Sequence, residues 1–239
     1  MDTYTRHQLK QDKFATAAAT GVSWMEENRT RVVVVAIVAL FVVAAAIVGY
    51  NIYASRSESA AVAFGAALKT YESPIRPANA PNDPTTESYA NAQERAQTAN
   101  KEFLAVADKY KFTPDGRNAR YYDGITYAEL NQNSAAEATL KQVASSYSRD
   151  VAALAKLALV SHYHSTARDS DAIALCNELI AHPTATVPAY TAKLQLASIY
   201  ESTGNLAEAR KIWAQIKDAD KTGAAGEIAT EKLTGKQQN

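Results

Sequence analysis

The sequence has a single cysteine, Cys176, and no excess of either charge: 25 basic side chains balance 25 acidic ones across 239 residues. One cysteine cannot close an internal disulfide, so no disulfide framework holds the fold. The charge balance argues against the basic footprint of a nucleic-acid-binding protein. The usual signatures of chemistry are missing too. The chain has no G-x-S-x-G, P-loop, G-x-G-x-x-G, H-E-x-x-H or C-x-x-C pattern, so the common hydrolase, nucleotide-binding, zinc and redox motifs are excluded. Four of the seven prolines, Pro74, Pro77, Pro81 and Pro84, fall within eleven residues. The stretch that holds them, about 74–85, reads as a linker or extended surface loop, because proline suits neither a helix interior nor a central strand.

The longest absence is of charge itself. Val32 to Gly49 are 18 consecutive apolar or small residues, and Asn51 is the only polar side chain before Tyr53. At about 1.5 Å per residue this stretch spans roughly 33 Å, enough to cross a hydrocarbon core of about 30 Å. A transmembrane helix over 31–53 is expected. A buried core helix would show a polar face, and a cleaved signal peptide would carry a shorter apolar run with a small-residue cleavage site. Trp24 on one side and Tyr50 and Tyr53 on the other fall where amphipathic rings collect at membrane interfaces. Arg6, Lys10, Lys13, Arg29 and Arg31 precede the run, whereas Arg56 and Lys69 follow it. The positive-inside rule then expects a cytoplasmic N-terminus and an exported C-terminal part, 57–239. Residues 1–28 read either as a short amphipathic helix on the inner membrane surface, with Phe14, Ala18, Val22 and Met25 on one side, or as an unstructured cytoplasmic tail.

Beyond the anchor, Glu58 to Tyr71 has apolar residues at helical spacing and ends before Pro74. Helical character resumes near Glu87, runs to Tyr110 and stops at Thr113-Pro114-Asp115-Gly116. Past Gly116 the chain repeats itself. Aligning Tyr127, Tyr163 and Tyr200 brings Ala136, Ala172 and Ala209 into register, then Leu140, Cys176 and Trp213, then Val143, Leu179 and Ile216. Successive copies are 36 and 37 residues apart, spanning about 117–150, 153–187 and 190–221, and each reads as two helices around a short polar turn. An alanine facing the preceding tyrosine lets the two backbones approach, and the larger side chain one turn later fills the wedge. Half a copy precedes them, with Ala99, Phe103 and Val106 set 37 residues before Ala136, Leu140 and Val143, which places a helix over 92–111. Ala224 to Leu233 reads as a terminal capping helix. The expected fold is all-α: one transmembrane helix followed by an α-α solenoid.

The repeat resembles the tetratricopeptide repeat. In the last copy Leu196, Ala197, Tyr200, Gly204, Ala209, Trp213 and Ile216 fall on family positions; the first keeps Gly124, Tyr127 and Ala136, and the second keeps Leu159, Tyr163 and Ala172. The departures are Asp123 where leucine is usual, Arg120, Lys156 and Lys193 where tryptophan is usual, and Ser148, Thr184 and Lys221 at the terminal proline position. In layout the whole chain resembles the bacterial YfgM family, ancillary subunits of the SecYEG translocon. That resemblance implies a single-pass inner-membrane protein with a periplasmic repeat domain, whose partners are a SecYEG-type translocon and a PpiD-type chaperone. A scaffold for cell-envelope assembly or division, outside secretion, is the alternative. A regulator signalling inward would require residues 1–28 to bind something specific.

The resemblance also implies a peptide groove. Its positions hold Asn118, Tyr121, Ile125 and Glu129 in the first copy, Leu157, Ser161 and His164 in the second, and Leu194, Ser198 and Glu201 in the third. Repeats that clamp a terminal carboxylate use Lys and Asn where this chain has Tyr121, Ile125 and Ser161, which disfavours capture of an acidic C-terminus. No catalytic residue, cofactor or metal is expected. His162 and His164 point about 200° apart on a helix and read as surface and groove residues rather than as a ligand pair. His182, before Pro183, reads as a helix-end cap, and Cys176 as an inert core residue.

Overall fold

The computed structural model describes residues 28–77 and 87–235. The two readings of residues 1–28 and the middle of the proline loop fall almost entirely outside these. The chain divides into two compact units, Met1–Ser55 and Arg56–Asn239. Among the described residues there are nine helices and no strand.

The first helix, α1, runs from Arg29 to Glu72. It carries both the apolar run and the alanine-rich segment that the sequence places in separate elements. Ala54-Ser55-Arg56-Ser57 contains neither proline nor glycine, so nothing in the chain stops helix propagation there. It is the only helix among the described residues long and apolar enough to cross a membrane, with a mean hydropathy of 3.2 over its most apolar window and none of that window buried.

In the second unit, the base of the proline loop is clipped by an isolated bridge between Ile75 and Tyr89. The Arg76 N–H donates to the Tyr89 carbonyl at 2.9 Å, and the Tyr89 N–H donates to the Pro74 carbonyl at 3.1 Å. Helix α2 (Ala92–Lys109) starts where the repeat register puts it, and Asn91 caps it. The Asn91 side chain accepts from the Glu94 N–H at 2.8 Å, and the Glu94 carboxylate accepts from the Ala90 N–H at 3.0 Å. This pairing satisfies two amide groups that would otherwise be stranded at the helix start. That helix ends at Tyr110, and Thr113 to Gly116 opens the next one. Thr113 caps α3 (Pro114–Glu129) by accepting from the Gly116 N–H at 3.1 Å, and Pro114 occupies the first turn, where its missing N–H costs nothing.

Three helix pairs follow: α3 with α4 (Asn133–Ala144), α5 (Arg149–Ser165) with α6 (Asp169–Ala181), and α7 (Ala189–Ser202) with α8 (Leu206–Ala219), closed by α9 (Ala224–Thr234). One turn geometry joins all three. Asn131, Ala167 and Gly204 take positive φ angles of 58°, 58° and 78°. The N–H after each of them donates back to a tyrosine carbonyl: Gln132 to Tyr127 at 2.9 Å, Arg168 to Tyr163 at 2.8 Å and Asn205 to Tyr200 at 2.8 Å. A left-handed residue followed by such a bond ends a helix sharply. Gly204 takes that conformation without strain, whereas Ala167 pays for its Cβ.

From α2 onward each helix packs against the next, and α3 also touches α5, which touches α7. The aligned side chains are the ones that pack inward: Ala136, Ala172 and Ala209, then Leu140, Cys176 and Trp213, then Val143, Leu179 and Ile216 are all buried. At Gly124 an added Cβ would lie 2.8 Å from Leu140 Cγ and Cδ2, so the first pair closes over the absence of a side chain. At the equivalent positions of the later copies stand Val160 with Cys176 and Ala197 with Trp213. Two core clusters result. One holds the side chains from Leu140 to Ala229, and the other joins Ala60, Ala67, Phe103, Val106 and Ala119. The second is ringed with aromatics: Phe64, Tyr71, Phe103 and Tyr122 have ring centroids 5.0 to 6.0 Å apart, and a buried Phe103 alone contributes roughly 2–3 kcal/mol.

One histidine expectation needs correction. His162 is buried rather than a surface residue, because α5 has four helical neighbours, α3, α4, α6 and α7, and little of its surface is left open. His182 does cap α6, through its backbone N–H, which donates to the Glu178 carbonyl at 3.0 Å.

Candidate functional site

The ten groove positions lie on α3, α5 and α7, the three helices that touch one another in order. None of the ten is buried. Glu129, Ser161 and Ser198 are exposed, and Asn118, Tyr121, Ile125, Leu157, His164, Leu194 and Glu201 are half-buried. Tyr121, Ile125, Leu157 and Leu194 pack their inner sides on the larger core cluster while keeping an outer side open. An apolar side chain in this state still has surface to remove from water, worth about 25 cal/mol per Å² on contact with a partner.

The polar positions are more committed. Glu129 accepts from the Tyr71 hydroxyl at 2.5 Å. Glu201 accepts from Trp213 Nε1 at 2.8 Å and from Lys232 Nζ at 2.9 Å. His164 lies with Nδ1 2.5 Å from Asp169 Oδ1 and Nε2 3.3 Å from Ser202 Oγ, which ties α5 to the start of α6 and the end of α7. These three side chains stitch neighbouring helices together, so the chemistry left to the face is apolar contact with neutral polar groups from Asn118, Ser161 and Ser198. Burial raises the Tyr121 hydroxyl above its ordinary value, with Tyr122 adding to the effect, so it remains a neutral donor.

Elsewhere, the ionisable groups are built into the scaffold. Burial pushes the Cys176 thiol up to about 12, far from the thiolate a nucleophile needs. Among the described residues no three His, Cys, Asp or Glu side chains converge on a metal-sized site. Asp123, the departure from leucine in the first copy, is fully buried. Asn100 Nδ2 donates to its Oδ1 at 3.0 Å and to Thr126 Oγ1 at 3.0 Å, and Arg120 Nη1 donates to its Oδ2 at 3.1 Å while also pairing with Asp108. Burial nonetheless raises the Asp123 carboxyl to about 6 against the opposing pull of Arg120. Glu137 is the converse. Lys141 and then Arg168, which donate to it at 2.7 and 2.8 Å, hold its carboxyl down near 2, and the Tyr163 hydroxyl joins them at 3.2 Å.

Comparison with family models, with curated proteins and with solved structures gives no match for this chain. Groove positions carried over by resemblance therefore rest on the residues themselves. Sequence reasoning missed a second surface, the edge where α2, α3 and α4 meet, which gathers Lys111, Arg117 and two exposed aromatics, Phe112 and Tyr147. The one signal that pointed there was the basic residue at the usual tryptophan position, Arg120 in the first copy.

Proposed function

We propose that the chain is a membrane-anchored, tetratricopeptide-like solenoid that acts as a protein interaction subunit and links a Sec-type translocon to periplasmic chaperones. In this reading α1 crosses the inner membrane with the N-terminus in the cytoplasm. The helices that follow stack as repeats in the periplasm, and α3, α5 and α7 present the groove. The observation that carries the reading is the turn repeated at Asn131, Ala167 and Gly204, with equivalent hydrogen bonds at the intervals of the sequence repeat. One turn used three times, together with contacts between alternate helices, is the local geometry a stacked helical array needs. The half-open apolar side chains Tyr121, Ile125, Leu157 and Leu194 favour a helix or extended segment with its own apolar face as the occupant.

The test is co-purification of the full-length protein from detergent-solubilised membranes, beside a version whose anchor is replaced by an unrelated span. Recovery of translocon subunits and periplasmic chaperones is expected. Recovery of envelope-assembly proteins alone would replace the secretion role with the scaffold role. Tyr121→Asp combined with Ile125→Asp should cut partner recovery at least about tenfold, as loss of two central apolar contacts does, while helicity stays unchanged by circular dichroism. Undiminished recovery in that double variant would remove the groove from the proposal.

A further inference from the structure

Two cavities sit one repeat apart. The first, about 230 Å³, includes Ala107, Gly116 and Val143 in its wall; the second, about 200 Å³, has Ala144, Ala152 and Leu179 at the equivalent positions. They differ in charge. In the second, Lys156 Nζ donates to the Glu178 carboxylate at 2.6 Å, so the cavity supplies its own anion. In the first, the position of Glu178 is taken by the neutral Gln142, and Arg120, the counterpart of Lys156, is committed to Asp108 and Asp123. Lys111 and Arg117 then line the first cavity with no ion pair to any described carboxylate.

Arg117 Nη1 donates to the Phe112 carbonyl at 3.4 Å, but two other donors there are unspent. Arg117 Nε and Ser146 Oγ, both from residues in the wall, are buried without a hydrogen-bond partner, a costly condition that an arriving acceptor would relieve. Around them stand two aromatic side chains that the fold leaves in water: Phe112 is 76% exposed and Tyr147 80%. Each carries a cation, with Lys111 Nζ 5.1 Å from the Phe112 ring centroid and the Arg117 guanidinium 4.7 Å from that of Tyr147. The Tyr147 ring holds the guanidinium in place, which lowers the entropy lost when it binds.

We propose that this cavity docks an acidic polypeptide segment, with one carboxylate seated among Lys111, Arg117, Gln142 and Ser146 and an adjacent apolar side chain resting on Phe112 and Tyr147. Excess positive charge and unpaired donors select the carboxylate. The exposed aromatics select a polypeptide over a small anion, which would leave them uncovered. Recessed donors also favour a side chain that can enter over a flat lipid surface. The site lies on α2, α3 and α4 and does not depend on the groove of α3, α5 and α7.

The test uses the full chain in zwitterionic lipid nanodiscs and two fluorescein-labelled peptides, Gly-Phe-Glu-Glu-Phe-Gly and its counterpart with both glutamates replaced by glutamine, read by anisotropy. The acidic peptide should bind at least about tenfold more tightly, as expected for charge-assisted hydrogen bonds that only a carboxylate can accept. Gln142→Glu, which installs the anion already present in the second cavity, should abolish that preference without loss of helicity. Lys111→Ala with Arg117→Ala should do the same. Lys217→Ala, a surface cation on α8, and Tyr121→Asp in the groove should both leave binding intact, so that failure here and failure of the groove are read separately. Equal affinity for the two peptides, undiminished binding in Gln142→Glu, or displacement of the acidic peptide by an equal concentration of inorganic phosphate would overturn the proposal.

Discussion

The same position in three successive copies holds Asp123, Leu159 and Leu196, and all three side chains are buried. The leucines sit among apolar neighbours in the larger core cluster. The aspartate survives burial because two neighbours supply donors: Asn100 from α2 and Arg120 from one turn earlier on α3. What a buried position accepts is therefore set by the partners its neighbours bring, and the repeat pattern alone does not specify them. Glu137 extends the contrast. It occupies in the first copy the position that Asn100 holds in the half copy before it, and it too reaches the following helix, but as an acceptor from Tyr163 where Asn100 is a donor.

The strongest way to break this comparison is to move the charge. Leu196→Asp places a carboxylate where no donor has been arranged and should cost about 3–5 kcal/mol, the penalty of an uncompensated buried charge, measured by chemical unfolding of the full chain in detergent. A loss below about 1 kcal/mol would mean that buried charge is tolerated here without partners.

The next prediction concerns pH. Because the folded carboxyl of Asp123 titrates near 6 against an ordinary 3.8, the folded state holds its proton more tightly than the unfolded state. The resulting stability is complete below about 3.8, is lost as pH rises toward 6 and changes no further above that. Asp123→Asn should flatten this slope in thermal unfolding between pH 4 and 6. Glu137, held near 2, has the opposite sign: its contribution is full above about 4.5 and falls away as pH drops toward 2. Glu137→Gln should remove that acid-side loss.

The smallest effect sharpens the comparison of the turns. Ala167→Gly, at a φ of 58° that costs alanine its Cβ contacts, should stabilise by about 0.5–1 kcal/mol, and Gly204→Ala should destabilise by a similar amount. Paired unfolding curves would check both. No change in either variant would mean that the turns are not strained as their backbone angles indicate.

Much of the helical layout was legible in the sequence because it depends on spacing. Three aligned columns of small, large and medium side chains marked the buried faces, and the polar turn residues marked the breaks. The sequence misplaced boundaries that depend on individual hydrogen bonds. Thr113 and Pro114 open a helix although the same residues read as a stop. Continuity of α1 through Ala54 to Ser57 was missed because a change of composition resembles a boundary even where no residue breaks the helix. The ten positions that the family resemblance assigns to a groove all lie on α3, α5 and α7. That Glu129, His164 and Glu201 are already engaged was not legible, because Tyr71, Ser202 and Lys232 reach them across helix interfaces. The cavity edge escaped notice for the same reason: Lys111 and Tyr147 lie 36 residues apart in the chain and belong to no shared motif.

Gly124 lies against Leu140, and the equivalent positions hold Val160 with Cys176 and Ala197 with Trp213, so side-chain volume is divided differently in each copy. Recombination between copies, a common route by which repeat arrays lengthen or shrink, would join the front of one unit to the back of another. Excising residues 125–160, for instance, would set Gly124 opposite Cys176 and leave a void, whereas the reciprocal junction would force Val160 against Leu140. Each copy is thus fitted with its own pair of side chains, and exchange between copies would not preserve that fit.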